Sequence, residues 1–321
     1  MDDRVGSGAS EAIRIRVDGR TVPRGRTRCE TYYPGVGRQV LLRRELARSL
    51  ARNDPVRLLD LFHADKPVIG VLHAPALPGS PQNTLDFDAI LNWVLTDADA
   101  LAGGGIHGMI LENFGDVPFY PQRVPPHTVA FMTALGREIR RRFNLPLGIN
   151  VLRNDARAAL AVAAAVDAQF IRVNIHTGAR VTDQGLIQGR AHETFRYRKL
   201  LGCDAGIFAD VDVKHSAPLA ARELRVEVEE VVSRGCADTI IVTGSATGTP
   251  AALEDLKTAK AAAREVPVIA GSGVDSTNVT AILKIADGLI VGTALKRDAV
   301  TTNPVDGQRV RRFMEAVRGV R

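Results

Sequence analysis

Asp210, Asp212 and Lys214 fall on alternate positions of the stretch "GIFADVDVKHS", between Ile207, Ala209, Val211 and Val213. A strand sends alternate side chains to opposite faces, so one face here is apolar and the other carries two carboxylates and an ammonium. Charges on a buried strand must pair with one another or with a ligand. Either carboxylate could serve as a general base, and the ammonium could hold a developing oxyanion or enolate. Polar groups also close other short apolar runs: His73, Glu112 with Asn113, Asn150 with Arg153, Arg172 with Asn174, His215 and Thr243. Glu112 is the candidate partner acid, and Arg172 and Asn174 would orient hydroxyl groups. The competing reading of the same charges is a salt-bridge network that only plugs the interior.

A second signal lies late in the chain. "VIAGSGV" ends one run in Gly271, Ser272 and Gly273, and "LIVGTALK" ends the next in Gly292 and Thr293. Glycine lets backbone N–H groups approach an anion closely, so this pair is the candidate phosphate cradle. Asn278 is placed to cap the helix that follows it. The segment "HTGARVTDQGLIQGRAHETFRYR" is long for a connection between elements, and its glycines make it a candidate lid bringing Arg180, Asp183 and Gln184 to a ligand.

These residues need a scaffold that gathers them at one place. Eight apolar, β-branched runs recur at 67–73, 108–113, 146–152, 169–175, 206–213, 238–244, 266–273 and 287–293, with alanine-rich helical stretches between them. That alternation predicts a (β/α)8 TIM barrel over residues 51–321, with the active site at the C-terminal ends of the strands. A doubly wound open sheet is the alternative. Residues 1–50, rich in Gly and Arg, read as a partly disordered N-terminal extension.

Composition narrows the function classes. With 45% hydrophobic and 24% charged residues the chain is an ordinary globular one, and its net charge of +6 comes from arginine runs without interleaved aromatics. A solvated basic surface explains these better than nucleic-acid binding. Three dispersed cysteines argue against a disulfide framework and for a reducing, cytoplasmic setting. No run is long enough for a membrane span. No metal-binding spacing is present and no cofactor is demanded; Mg2+ bridging carboxylates and a substrate phosphate is the form a metal would take. A homo-oligomer is compatible with the sequence.

The motifs "KPVIGVLHAPALPGSP", "ILENFGDVPF", "FADVDVKHS", "VTGSATG", "AGSGVDSTNV", "ADGLIVGTALK" and "NPVDGQRVRRFM" occur in order over about residues 58–318. Together they resemble the BtpA/SgcQ family. The resemblance implies a barrel of the ribulose-phosphate-binding type, and in one lineage a role in photosystem I biogenesis. It adds Asp116 and Gly244 to the residues gathered at one mouth, where the strand ends already place Asn154, and transfers no catalytic set. The expected function is an enzyme acting on a small sugar- or ribosyl-phosphate-like metabolite by acid/base chemistry. Its alternative is a non-catalytic accessory factor for assembly of a larger complex.

Overall fold

The computed structural model describes residues 58–244 and 252–320. The expected N-terminal extension and its boundary near residue 50 lie outside the described residues. Eight parallel strands close into a barrel, each followed by helical structure, as the sequence alternation predicts. In chain order these are β1 (Val68–His73), β2 (Gly108–Glu112), β3 (Leu147–Asn150), β4 (Phe170–Val173), β7 (Gly206–Val211), β9 (Thr239–Val242), β10 (Val268–Ala270) and β11 (Gly288–Val291). Between and after them run α2 (Phe87–Gly103), α3 (Pro126–Arg142), α4 (Ala156–Val166), α5 (Ala191–Leu201), α6 (Leu224–Ser233), α7 (Leu253–Ala263), α8 (Val279–Leu283) and α9 (Gly307–Arg318).

The two-residue period of each strand divides the core in two. Outward positions such as Leu72, Leu111, Ile171 and Val242 pack under the helices. Inward positions Ile69, Val71, Ile110, Phe170, Phe208, Ile241, Ile269 and Ile290 fill the lumen, together with Leu58, Leu61 and Phe62 of α1 (Leu58–Phe62). Phe62 meets Phe170 edge-on, with ring centroids 5.7 Å apart, and so closes the N-terminal end. Two residues further along each strand the inward position turns polar or becomes glycine: His73, Glu112, Asn150, Arg172, Asp210, Thr243, Gly271 and Gly292. The lumen is thus apolar below and polar above, and one phase error in any strand would invert this.

Gly148 is the glycine the lumen depends on. A Cβ there would lie 2.2 Å from Cε2 of Phe170, whose ring stacks on Phe208 at 4.4 Å. We predict that Gly148→Ala costs about 1–3 kcal/mol in urea unfolding through overpacking. Adding Phe170→Leu should recover much of the loss; no loss in the single variant would contradict this packing.

The expected lid is a folded structure. β5 (Ala179–Thr182) and β6 (Gly185–Gln188) form a hairpin, and β8 (Ser216–Pro218) pairs with β5 to complete a three-stranded antiparallel sheet. Ile187 packs beneath it with Ile175 and Val213. The sequence pattern extended the fifth barrel strand to residue 213 and began the next helix at 219. The strand instead stops at Val211 because Asp212 adopts φ 44°, and α6 starts at Leu224 because Ser216–Pro218 joins the small sheet.

Candidate active site

Arg172 is the centre of the polar layer. Its Nε and Nη2 donate to Oδ1 and Oδ2 of Asp210, each at 3.0 Å, and its Nη1 donates to Oε1 of Glu112 at 3.2 Å. Asn174 donates to Asp210 Oδ2 at 2.8 Å, and Asn150 to Glu112 Oε1 at 3.1 Å. All five residues are buried. Burial opposes the guanidinium charge, but Asp210 and Glu112 outweigh it and raise the Arg172 pKa above its ordinary value. A planar fork on one carboxylate with a second at its other edge is the geometry that makes such burial tolerable.

His73 and Lys214 sit at the edge of this cage. His73 Nε2 is 3.9 Å from Glu112 Oε2, its ring lies 4.5 Å from that of Phe114, and its Nδ1 is buried without a partner among the described residues. Burial, then the positive charges of Lys296, Lys214 and Arg172, push its pKa well below 6.5, so the imidazole is neutral at pH 7. Lys214 is held by its backbone: its N–H donates to Thr243 Oγ1 at 3.3 Å and its carbonyl accepts from Arg153 Nη2 at 2.7 Å. Among the described residues no carboxylate lies within ion-pair distance of its Nζ. Burial, then Arg172, lowers its pKa to about 8.

A cavity of about 620 Å3 opens beside these groups, lined by His73, Glu112, Arg172 and Lys214 on one side. Its other side is Gly271–Gly273, Gly292–Ala294 and Arg309. The cavity exists because β10 and β11 present glycine where six other strands present a polar side chain. A Cβ on Gly292 would stand 2.9 Å from Cε1 of His73, and one on Gly271 2.3 Å from Cγ2 of Ile241. The volume is that of a small-molecule site.

Asn278 steadies this wall rather than capping α8. Its Nδ2 donates to Gly273 O at 2.8 Å and its Oδ1 accepts from Asp275 N at 3.0 Å. Asp275 in turn spends its Oδ1 on Thr277 and the Asn278 N–H. Ser272 Oγ accepts from Gly244 N at 2.7 Å, and Thr293 Oγ1 meets Thr301 Oγ1 at 2.9 Å. Sequence reasoning missed Arg309, whose Nε donates to Ala294 O at 2.9 Å, although it lies in the quoted run "NPVDGQRVRRFM". It also missed Phe114 and the buried pair of Lys296 with Asp97, 2.6 Å apart.

Several expected site residues do not line the cavity. Asp212 turns outward, with its side chain 64% exposed, and pairs with Arg180 Nη2 at 2.6 Å. The left-handed backbone at Asp212 breaks the strand alternation that would have aimed it inward. Arg180 also reaches Glu227 and Ser216, so it ties the hairpin to α6 and is not free for a ligand. Asp183 and Gln184 likewise lie away from the cavity, bonded to each other. Asp210 faces the lumen but is covered by Arg172 and Asn174. Asn113 accepts from Leu152 N at 2.7 Å and donates to Asp116 at 2.9 Å, and Asn154 exchanges two hydrogen bonds with Ile175, so these side chains clamp loops together. Arg153 and Thr243 act through the Lys214 backbone, and His215, at φ 56°, is exposed. Among the described residues no group of three or more His, Cys, Asp or Glu converges to hold a metal. Glu112 and Asp210, the carboxylates a bridging Mg2+ would need, are both already engaged by Arg172. No helix among the described residues is long and apolar enough to cross a membrane.

Comparisons with known proteins agree with this architecture. The chain is 46% identical over 260 residues to the photosystem I biogenesis protein BtpA of Synechocystis sp., covering 81% of this chain and 91% of that one. It is 46% identical over 258 residues to an uncharacterized protein of Archaeoglobus fulgidus, covering 79% and 100%. Among solved structures, N-(5'-phosphoribosyl)anthranilate isomerase of Pyrococcus furiosus superposes with a TM-score of 0.50 at 13% identity, covering 79% of this chain and 100% of that one. That likeness is one of fold. The model of the BtpA family matches residues 64–319, and the chain belongs to that family.

Proposed function

We propose that the barrel mouth binds a small phosphorylated metabolite, of the sugar- or ribosyl-phosphate kind and drawn from a cytoplasmic pool, and acts on it by acid/base chemistry. The observation that carries this reading is that a single cavity joins the glycine wall with Arg309 to the face made by His73, Glu112 and Lys214. Backbone N–H groups of Gly271–Gly273 and Gly292–Thr293 take the phosphate, and Arg309 supplies the cation. The far end of the substrate then lies against Lys214 and the neutral His73, which stabilise negative charge developing on a carbonyl oxygen or enolate. Glu112, whose Oε2 faces His73, is the proton-transfer partner. Asp210 and Arg172 position Glu112 and leave the bond-making to others; Asp212 belongs to the hairpin.

A second reading, an accessory factor in assembly, is favoured by the name of the Synechocystis relative. The chain also matches relatives of Archaeoglobus fulgidus and Pyrococcus furiosus over 79% and 78% of its length, and the cavity residues rather than that one name carry the enzyme reading. Thermal shift separates the two. Inorganic phosphate and sugar phosphates should raise the melting temperature, because ligands that bind only the native state stabilise it, and the unphosphorylated sugars should not. Arg309→Met should weaken phosphate-ester binding roughly 10- to 100-fold, the value of a charge-assisted hydrogen bond. Equal shifts with and without the phosphate group, or none with any phosphate ester, would remove this reading.

A further inference from the structure

Lys214 differs from Arg172 and Lys296 in what surrounds its head group. Arg172 is saturated by two carboxylates, and Lys296 is paired with Asp97 on the outer side of the barrel. Lys214 reaches the same cavity with no carboxylate at ion-pair distance among the described residues. The two acids nearest in sequence, Asp210 and Asp212, are turned to Arg172 and Arg180. Its backbone is fixed on both sides by Thr243 and Arg153, so the amine is presented from a rigid base. A lysine built only to bind an anion would be better charged and exposed than half-desolvated beside Arg172. An amine next to another cation and shielded from water is instead the arrangement of a nucleophile.

We propose that Lys214 forms a Schiff base with the carbonyl carbon of an aldose or ketose phosphate held on the Gly271–Gly273 and Gly292–Thr293 wall; this rests on the phosphate reading above. The amine lone pair forms the C–N bond as the carbonyl π pair moves to oxygen, and a proton passes from nitrogen to that oxygen. The carbinolamine then takes one more proton on its hydroxyl, loses water, and closes the C=N bond. A protonated imine plus water replaces an ammonium plus a carbonyl, so the charge in the cavity is unchanged. His73, neutral and lining the same cavity with its Nε2 3.9 Å from Glu112 Oε2, relays the protons. With a pKa of about 8, Lys214 holds a few hundred times more free amine at pH 7 than an ordinary lysine.

The test uses the full chain with three probes: dihydroxyacetone phosphate, glyceraldehyde 3-phosphate and pyridoxal 5'-phosphate. Each is incubated with borohydride, and the adduct is located by intact mass and peptide mapping. One adduct per chain on Lys214 is expected, forming at least about tenfold faster than on surface lysines such as Lys257 and competed by inorganic phosphate. Its rate should level off above about pH 8, following the free amine. Lys214→Arg should lose the adduct while keeping the thermal shift given by ribitol 5-phosphate, which has no carbonyl. Labelling spread over surface lysines, or a shift with ribitol 5-phosphate but no adduct from any carbonyl probe, would overturn the Schiff base and leave the phosphate site standing. Absence of binding by every phosphate ester would overturn both.

Discussion

Asp210→Ala should lose about 3–5 kcal/mol in chemical denaturation, a large share of the roughly 5–15 kcal/mol that holds a typical domain folded. Arg172 is 4% exposed and donates its two shortest hydrogen bonds to this one carboxylate. Without Asp210 the guanidinium keeps its desolvation cost and retains only Glu112 at 3.2 Å and whatever water can enter. Asn174, whose Oδ1 already has no partner among the described residues, would lose its Nδ2 bond as well. Replacing both ends of the pair, Asp210→Leu with Arg172→Met, should recover most of the loss, because an apolar pair carries no buried charge. Asp212→Ala offers the contrast. Its carboxylate is 64% exposed and Arg180 keeps Glu227, so the change should fall below about 1 kcal/mol. A loss under about 1 kcal/mol in Asp210→Ala would show that the cage is not what holds the upper barrel together.

Lys214→Met should have the opposite sign: a more stable protein that no longer works. Burial and the Arg172 charge depress the native pKa of Lys214 to about 8, from 10.5 in the unfolded chain. Between those two values the unfolded chain binds the proton and the native one does not, so wild-type stability rises with pH through that window. Below about pH 8 both states are protonated, and the native state carries the whole cost of a crowded, half-desolvated ammonium. Methionine has a similar reach and no charge, so the variant should melt higher at pH 7 and lose the alkaline rise. If Lys214 acts on substrate, kcat/KM on the phosphorylated substrate should fall by about 10²–10⁴. A variant that melts lower at pH 7 would contradict the electrostatics. One that retains every cellular phenotype would contradict the enzyme reading, and would leave the barrel as an assembly factor.

The strand phase was readable residue by residue. Val71, Ile110, Phe208 and Ile241 each stand two positions before a polar residue, and a period of two is a local property of the backbone. It therefore placed His73, Glu112, Asn150, Arg172 and Asp210 in the lumen without any knowledge of their partners. The same rule misplaced Asp212, because one left-handed residue at the end of β7 resets the alternation. Nothing in "ADVDVKHS" marks that turn except its being followed by a segment that pairs with a hairpin about 35 residues upstream.

Sequence alone therefore determined the eight strands, the side of the barrel that residues within them face, and the glycines of the cavity wall, since all of these follow from local periodicity and backbone geometry. Only the tertiary structure decided how the charges pair. It gave Asp210 to Arg172 and Asp212 to Arg180, left Lys214 without a carboxylate at ion-pair distance among the described residues, and brought Arg309 from the last helix to the cavity wall beside Gly271–Gly273 and Gly292–Ala294. Coulomb and hydrogen-bond partners are chosen by distance across the closed barrel, and chain order carries no record of that distance until the strands have closed.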